Sequence, residues 1–313
     1  MSRPAFKGVA RPGVSHQYSS RLFAFEHTPH VSSTPPQNLL IFVGGLFDGL
    51  HTAPYTSSIA DALPPSWTIA QAILSSSYTG WGISSLEKDV KELSSCVSYF
   101  RTIKSGKIIL MGHSTGCQDV MVYLTGTCHE TRAKIDGGII QAAVSDREAI
   151  SMSADTDAVR TSCETAQAMV DSGKGDEILP SIHTCHIFPG CPVSAKRWLS
   201  LASPNHDGAD DYFSSDLTDE QLMKSFGSLP ALIPLCILLS GNDQYVPKEI
   251  QPAELLARWI EISKKGKGQV DAENSGILEG ASHNLRGNPE EVVDGLVKRV
   301  VGFLEGLSAH ERL

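Results

Sequence analysis

One short motif constrains the fold of this chain more than any other feature. It fits the pattern G-x-S-x-G and reads Gly112-His113-Ser114-Thr115-Gly116. An apolar run at 108–111 precedes it directly, and an apolar helical stretch at 117–124 follows it. A serine at such a strand-to-helix turn has a strained backbone, which small residues on both sides permit. The motif therefore predicts a nucleophilic Ser114 on an elbow above a sheet; the alternative is an ordinary glycine-rich turn.

Strand-like and helical segments alternate along the rest of the chain. Uninterrupted apolar runs, typical of parallel strands covered on both faces, occur at 39–43, 67–74, 108–111, 138–144 and 235–239. Helical spacing follows a capping box formed by Ser84 and Glu87, and again follows Asn288 and Pro289. The first ~15 residues and the segment 28–37 are predicted to be tail and loop. This order predicts a doubly wound, mostly parallel α/β sheet flanked by helices.

Residues 145–229 interrupt that alternation. They contain helical pieces at 151–171 and a capping box at Thr218 and Gln221, but no buried strand. We therefore predict a single domain, 1–313, in which 145–229 form a helical lid inserted over the site. Within it, 18 residues without lysine or arginine carry six acids: Asp207, Asp210, Asp211, Asp216, Asp219 and Glu220. These acids indicate either a solvated loop or an electrostatic attraction for a positively charged substrate.

The overall charge and the cysteine content restrict the partners and the compartment. The chain has 26 basic and 35 acidic residues, a net charge of −9, which argues against binding to nucleic acid or anionic membranes. It has no apolar run of about 20 residues and no apolar segment typical of a signal peptide near Met1. Seven scattered cysteines fit reduced thiols better than a disulfide framework. We expect a cytoplasmic protein; the sequence leaves the oligomeric state open.

A serine nucleophile requires a base and an orienting acid, and two loop residues meet the requirement. In this architecture the acid and the histidine follow the serine in chain order, each in a loop after a core strand. Asp243 follows the run at 235–239, and His283 follows a short strand predicted at 277–278. The alternatives are an aspartate that caps a helix at 247–262 and a solvated loop histidine.

An ester hydrolase also needs two backbone amides for the oxyanion. The amide of Thr115, directly after the nucleophile, is the first candidate. The second is expected in the glycine-rich loop 44–49, where we favour Leu46 and leave its neighbour Phe47 open. A phosphate-binding loop is the alternative, but the segment lacks the lysine of a P-loop and the glycine spacing of a dinucleotide site.

One cluster of histidines and cysteines contains the side chains of a zinc site. It comprises His183, Cys185, His186 and Cys191, but it lacks the paired spacing of structural zinc sites. This cluster is therefore not expected to be a structural zinc site.

With these residues in place, the chain resembles the α/β-hydrolase superfamily over nearly its whole length. More narrowly, it is similar to the fungal domain-of-unknown-function 1749 group, which contains a siderophore esterase. The narrower resemblance is carried by the segments SYTGWG (77–82), GHSTGCQD (112–119), VSDREA (144–149), FSSDL (213–217) and LSGNDQYVP (239–247).

The resemblance implies a serine carboxylesterase that opens fusarinine-type hydroxamate siderophores, cyclic triesters whose cleavage releases iron for the cell's iron homeostasis. The ferric siderophore is then the partner, and its iron belongs to the substrate, so the resemblance implies no protein metal ligand and no cofactor. Fusarinine C has free amines that suit the net charge of −9, whereas triacetylfusarinine C has lost them. Candidate substrate contacts are Phe47, Asp48, Trp81, Arg147 and Asp216.

Three alternatives stay open beside this interpretation. The residues Asp146, Arg147 and Glu148 either anchor the lid, touch substrate, or form a structural ion-pair cluster. The enzyme could be a general esterase, a lipase-like enzyme or a thioesterase. A hydrolase fold with an intact triad could also serve as a ligand sensor.

Overall fold

The computed structural model describes residues 10–28 and 35–309, which contain one sheet of eight strands. The strands are β1 (Gly13–Ser19), β2 (Leu22–His27), β3 (Asn38–Val43), β4 (Trp67–Ile73), β5 (Ile108–His113), β6 (Gly137–Gln141), β7 (Leu235–Ser240) and β8 (Gly276–Leu278). Their order across the sheet is β1-β2-β4-β3-β5-β6-β7-β8. The pairs β1/β2 and β2/β4 are antiparallel and the other five pairs are parallel. The predicted mostly parallel α/β architecture is confirmed.

Helices cover both faces of the sheet. They are α1 (Tyr55–Ala62), α2 (Leu86–Arg101), α3 (Thr115–Thr125), α4 (Asp146–Ser153), α5 (Thr156–Asp171), α6 (Ala195–Ala202), α7 (Asp219–Lys224), α8 (Pro252–Lys265) and α9 (Glu290–Ala309). Apolar residues of α2, α3 and α8 form the core on one face, and those of α1 and α9 form the core on the other. Within the described ranges, every helix is too short or too polar to cross a bilayer.

The sequence prediction missed the first two strands. Residues 13–15, predicted as tail, belong to β1, an edge strand whose side chains are mostly exposed. An edge strand of this kind has no continuous apolar run, which was the signal used for the other strands. Residues 1–9 and 29–34 of the predicted tail and loop lie outside the described residues.

Two predicted element ends were also wrong. The run at 138–144 suggested a longer strand, but β6 ends at Gln141 because Ala142 adopts a left-handed backbone with φ of 53°. The predicted capping box at Ser84 does not form, since Ser85 caps α2 by accepting a hydrogen bond from the Lys88 amide. The second predicted box, between Thr218 and Gln221, is present at the start of α7.

The insertion between β6 and β7 has two parts that pack differently. The helical stretch predicted at 151–171 is broken, because α4 ends at Ser153 and Asp155 caps α5. Helices α4, α5 and α6 form an apolar cluster of their own, which includes Trp81 and contacts Leu46. Residues from Phe213 onward instead join the core beneath α8. The first part therefore lies beside the loop predicted to bind the oxyanion.

Candidate active site

Ser114 stands at the turn between β5 and α3 with a strained backbone. Its φ of 54° and ψ of −124° lie outside the regions that L-residues ordinarily occupy. A side chain at Gly112 would place its Cβ 2.0 Å from the Gly116 carbonyl oxygen, and one at Gly116 would come within 2.4 Å of the Val43 carbonyl oxygen. Both glycines of the motif are thus required by direct contact, because a Cβ at either position would force the elbow apart.

The loops after β7 and β8 bring the predicted acid and base together. The Asp243 Oδ2 atom lies 2.8 Å from His283 Nδ1, and the Asp243 side chain is only 2% exposed. The second oxygen, Oδ1, accepts a hydrogen bond from the Tyr245 amide at 3.0 Å. Helix α8 begins at Pro252 with Gln251 as its cap, so Asp243 has no helix-capping role.

The nucleophile elbow and the histidine loop are neighbours. The ring centroids of His113 and His283 lie 4.8 Å apart, and His113 directly precedes Ser114. Among the described residues, no hydrogen bond joins Ser114 Oγ to the imidazole of His283. Hydrogen bonds of this kind often tighten only when substrate binds.

The backbone amides of Leu46, Phe47 and Thr115 donate no hydrogen bond to any residue that the structure describes. Thr115 is the first residue of α3, where amide groups are unpaired and the helix dipole is positive. The amide of Thr115 and an amide of the loop after β3 are thus available to an oxyanion, and the choice between Leu46 and Phe47 stays open.

Gly45 sets how closely the oxyanion loop approaches the nucleophile. A Cβ at this position would lie 2.5 Å from the Cβ and 3.0 Å from the Oγ of Ser114. The Gly45 amide donates to Asp48 Oδ2 at 2.9 Å, and the Asp48 amide donates back to the Gly45 carbonyl at 3.1 Å. Asp48, a candidate substrate contact, therefore fixes this turn through hydrogen bonds within the loop.

Replacing Gly45 by alanine should lower kcat for a short-chain nitrophenyl ester by about a hundredfold, because the new methyl group must displace either the oxyanion donors or Ser114. The matched control is Gly295→Ala in α9, where an added Cβ meets nothing within 4 Å. Steady-state kinetics and circular dichroism on both variants check this. A folded Gly45→Ala protein with kcat within threefold of the wild type would contradict it.

Two aromatic candidates for substrate binding differ in their exposure. Phe47 has a left-handed backbone, φ 65°, and a side chain that is 40% exposed. Its ring packs edge-on against Trp81 with centroids 5.2 Å apart. Trp81 is only 2% exposed and packs on Phe188, inside the cluster of the insertion. Phe47 is thus open to a ligand, whereas Trp81 supports it from behind.

The other two candidates pair with each other. Arg147 donates hydrogen bonds to Asp216, to Asp211 Oδ2 at 3.2 Å and to His206 Nδ1 at 3.1 Å. Glu148 accepts from the amide and the hydroxyl of Ser215. Asp146 accepts a hydrogen bond from Gln118 Nε2 at 2.8 Å, so within the described part of the chain only Arg147 of the three forms ion pairs. These contacts fit both an anchor for the insertion and a structural cluster.

The acidic stretch of the insertion is largely neutralised by arginines from elsewhere in the chain. Arg147 pairs with Asp211 and Asp216, Arg197 with Asp210 at 2.5 Å, and Arg258 with Asp219 at 2.7 Å. Four of the six acids are therefore partnered. These ion pairs leave less charge to attract a cationic substrate, and the buried Asp210 and Asp211 also differ from the solvated loop that was the other alternative.

Arg197 lies among several buried carboxyl groups beside the nucleophile helix. Asp210 pairs with it directly, while Asp89 of α2 and Asp119 of α3 lie near it. Burial raises the pKa of Asp89 to about 6 and the pKa of Asp119 well above its ordinary value. One guanidinium cannot balance all of these carboxylates, so part of the group retains protons near neutral pH.

This cluster should make the protein less stable as the pH rises from about 4 to 6. In the unfolded chain Asp89 ionises near pH 4, but in the folded protein it holds its proton to about pH 6. The unfolded state then binds fewer protons than the native state, so the free energy of unfolding falls with pH. The free energy of unfolding, measured with urea, should fall between pH 5 and pH 7 by about 1–2 kcal/mol less in Asp89→Asn than in the wild type.

The control for this experiment is Asp157→Asn, a change at a side chain that is 84% exposed. This variant should show the same change in the free energy of unfolding between pH 5 and pH 7 as the wild type. An Asp89→Asn protein with the same pH dependence as the wild type would show that Asp89 is already ionised in the native state.

Sequence reasoning missed the residues that surround His283. Gln244 Oε1 accepts a hydrogen bond from the His283 amide at 3.1 Å. The ring of Tyr245 packs edge-on against the imidazole, with centroids 4.8 Å apart. On another side lies the buried ring of His113, whose pKa is lowered to about 4 by burial and by the neighbouring His283. Gln244 and Tyr245 directly follow Asp243 in sequence, but no periodicity or spacing indicates their roles.

The mostly parallel sheet and the strained serine between β5 and α3 define the chain as an α/β hydrolase. A structure of the siderophore hydrolase EstB from Aspergillus fumigatus superposes on it with a TM-score of 0.82. That protein is 37% identical in sequence, and the match covers 95% of this chain and 98% of the other.

Sequence comparison identifies the family. The model described as "Protein of unknown function (DUF1749)" matches residues 5–305. Fusarinine C esterase sidJ of Aspergillus fumigatus is 38% identical, covering 95% of this chain and 96% of its own. Esterase AN6793 of Emericella nidulans is 35% identical, covering 99% and 96%. The chain belongs to the DUF1749 family.

Proposed function

We propose that Ser114, His283 and Asp243 form the catalytic triad of a serine esterase. The observation that carries the proposal is the 2.8 Å contact between Asp243 Oδ2 and His283 Nδ1, next to the strained elbow of Ser114. A carboxylate at Nδ1 keeps the proton on that nitrogen, so Nε2 is free to accept the proton of the serine. The chain is a carboxylic ester hydrolase, in line with its named esterase relatives.

The reaction proceeds in two halves. Ser114 Oγ attacks the ester carbonyl while His283 Nε2 takes its proton, and the amides of Thr115 and Leu46 (or Phe47) stabilise the oxyanion. The alcohol leaves with the proton from His283, and the acyl group stays on the serine. His283 then activates a water molecule, which attacks the acyl-enzyme and releases the acid.

The proposed substrates are the ester bonds of ferric fusarinine-type siderophores. Two relatives that cover nearly the whole chain support this class, one named a fusarinine C esterase and the other a siderophore hydrolase. Each hydrolysis consumes one water and separates a carboxylic acid from an alcohol. Opening the cyclic triester separates the hydroxamate groups and weakens their hold on iron, which permits intracellular release.

The structure weakens the electrostatic reason for preferring free amines. Because arginines pair with four acids of the insertion, attraction for a cationic siderophore depends mainly on the net charge of −9. We therefore propose that both fusarinine C and its triacetylated form are substrates. Helices α4–α6, packed beside Leu46 and Trp81, are the proposed lid over them.

The proposed compartment is the cytoplasm. The seven cysteines are free thiols in the structure, five of them buried, as expected of a protein in a reducing environment.

A panel of substrates tests the proposal. The value of kcat/KM for ferric fusarinine C should exceed the values for a long-chain nitrophenyl ester and for an acyl thioester by at least about tenfold, because substrate specificity is expressed in this ratio. A higher value for the long-chain ester would favour a general esterase. Stoichiometric binding of the siderophore without multiple turnovers would favour a ligand sensor.

A further inference from the structure

Gln141 ends β6 and is completely buried. Its Oε1 accepts hydrogen bonds from the Tyr55 hydroxyl at 2.7 Å and from His113 Nδ1 at 2.7 Å. Its Nε2 donates to Ser240 Oγ at 3.2 Å and to the His283 carbonyl at 3.4 Å. An amide side chain has two acceptor positions and two donor positions, so every position is used.

The main chain of Gln141 reaches the nucleophile as well. Its carbonyl oxygen accepts a hydrogen bond from the Ser114 amide at 3.1 Å and another from Cys117 Sγ at 3.1 Å. The next residue, Ala142, is held in its left-handed conformation while its amide donates to the Leu238 carbonyl at 2.9 Å. Gln141 therefore contacts both the nucleophile elbow and the loop that carries His283.

The contact with His113 also has a chemical consequence. Because Oε1 can only accept, the proton of neutral His113 is on Nδ1. The buried ring is thereby fixed in one orientation, 4.8 Å from the ring of His283. Through this ring, the Gln141 side chain determines the surface against which the imidazole of His283 packs.

We infer that Gln141 is a positioning residue that holds the Ser114 elbow and the His283 loop in register for the reaction. This inference rests on the proposed triad, since it concerns the distance between its serine and its histidine. A displacement of about 1 Å between reacting groups can lower the rate by about a hundredfold. Because Gln141 is hydrogen-bonded to the Ser114 elbow and to the His283 loop, its replacement is expected to affect kcat more than KM.

The first test replaces Gln141 by methionine, which has a similar length and no amide. With p-nitrophenyl acetate, kcat should fall by about tenfold to a hundredfold while KM stays within about twofold. The matched control is Gln71→Met, because Gln71 is equally buried and its side chain bonds to His27 and His51 rather than to the elbow or the histidine loop. Its kcat should stay within about threefold of the wild type.

A milder variant covers the case in which Gln141→Met fails to fold. Tyr55→Phe removes one hydrogen bond to Oε1 and leaves the ring in place. Its kcat should fall several-fold at an unchanged KM, with little change in the melting temperature.

Gln141→Glu supplies a signature that simple destabilisation would not produce. With its proton, the introduced carboxyl can still accept from Tyr55 or His113 and donate toward His283. Once ionised, it can no longer donate and it places a charge in a buried site. The ratio of its kcat to the wild-type kcat should therefore be highest at acidic pH and fall toward pH 9, while circular dichroism shows a folded protein.

The inference is overturned by wild-type kcat in folded Gln141→Met, by an equal loss in Gln71→Met, or by a pH-independent ratio for Gln141→Glu. Failure of the proposed triad gives a different pattern. In that case the wild type is inactive or Ser114→Ala is fully active, whatever the Gln141 variants do.

Discussion

Replacing Ser114 by alanine should lower kcat for p-nitrophenyl acetate by at least about 10⁴-fold, because the variant has no group to form the acyl-enzyme. The fold should be unaffected, since alanine fits the elbow as well as serine does, and the requirement for small residues falls on Gly112 and Gly116. Substrate binding should persist, because the change removes only the hydroxyl of Ser114 and leaves the rest of the site in place. Stopped assays at high enzyme concentration can follow a loss of this size.

The control for that experiment is Ser95→Ala, the same chemical change on an exposed position of α2. It should retain wild-type kinetics. A serine-directed fluorophosphonate should label the wild type and the control once per chain and leave Ser114→Ala unlabelled. If the Ser114→Ala protein is labelled at another serine and retains its activity, that other serine is the nucleophile.

Asp243→Asn should lower kcat by about 10³–10⁴-fold with KM nearly unchanged. The size of the effect follows from the contacts of the carboxylate. Because the Tyr245 amide donates to Oδ1, the carbonyl oxygen of asparagine will occupy that position and turn its NH₂ group toward His283 Nδ1. The histidine must then carry its proton on Nε2, where it cannot accept one from Ser114.

Asp271→Asn is a suitable control for this variant. The Asp271 carboxylate also accepts a hydrogen bond from a backbone amide, that of Asn274 at 2.6 Å, but it lies away from the triad. It should keep wild-type kcat. A loss smaller than tenfold in Asp243→Asn would mean that Asp243 does not orient the histidine.

The three residues of the proposed triad could be predicted from the sequence, because their positions depend on local patterns. The strained serine follows from two glycines around it, and the positions of Asp243 and His283 follow from chain order and from the strands before them. The sheet could be predicted wherever strands are buried on both faces. It could not be predicted for β1 and β2, whose exposed and polar positions interrupt the apolar signal.

The remaining features depend on partners that are distant in the chain. The acids of the insertion stand in a stretch without lysine or arginine, yet Arg147, Arg197 and Arg258 reach them from elsewhere. Gln141 is 27 residues from Ser114 and 142 from His283, so no local pattern connects it to either of them. Such contacts follow from tertiary packing, which spacing in a single sequence does not encode.

The most direct test of the proposed function is chromatography with mass detection of ferric fusarinine C after incubation with the wild-type protein and with Ser114→Ala. The proposed triad and substrate together predict the linear trimer, then dimer and monomer, with the wild type and an intact cyclic siderophore with the variant. Products in both reactions would contradict the role of Ser114. An intact siderophore in both, while the wild type still cleaves p-nitrophenyl acetate, would contradict the substrate.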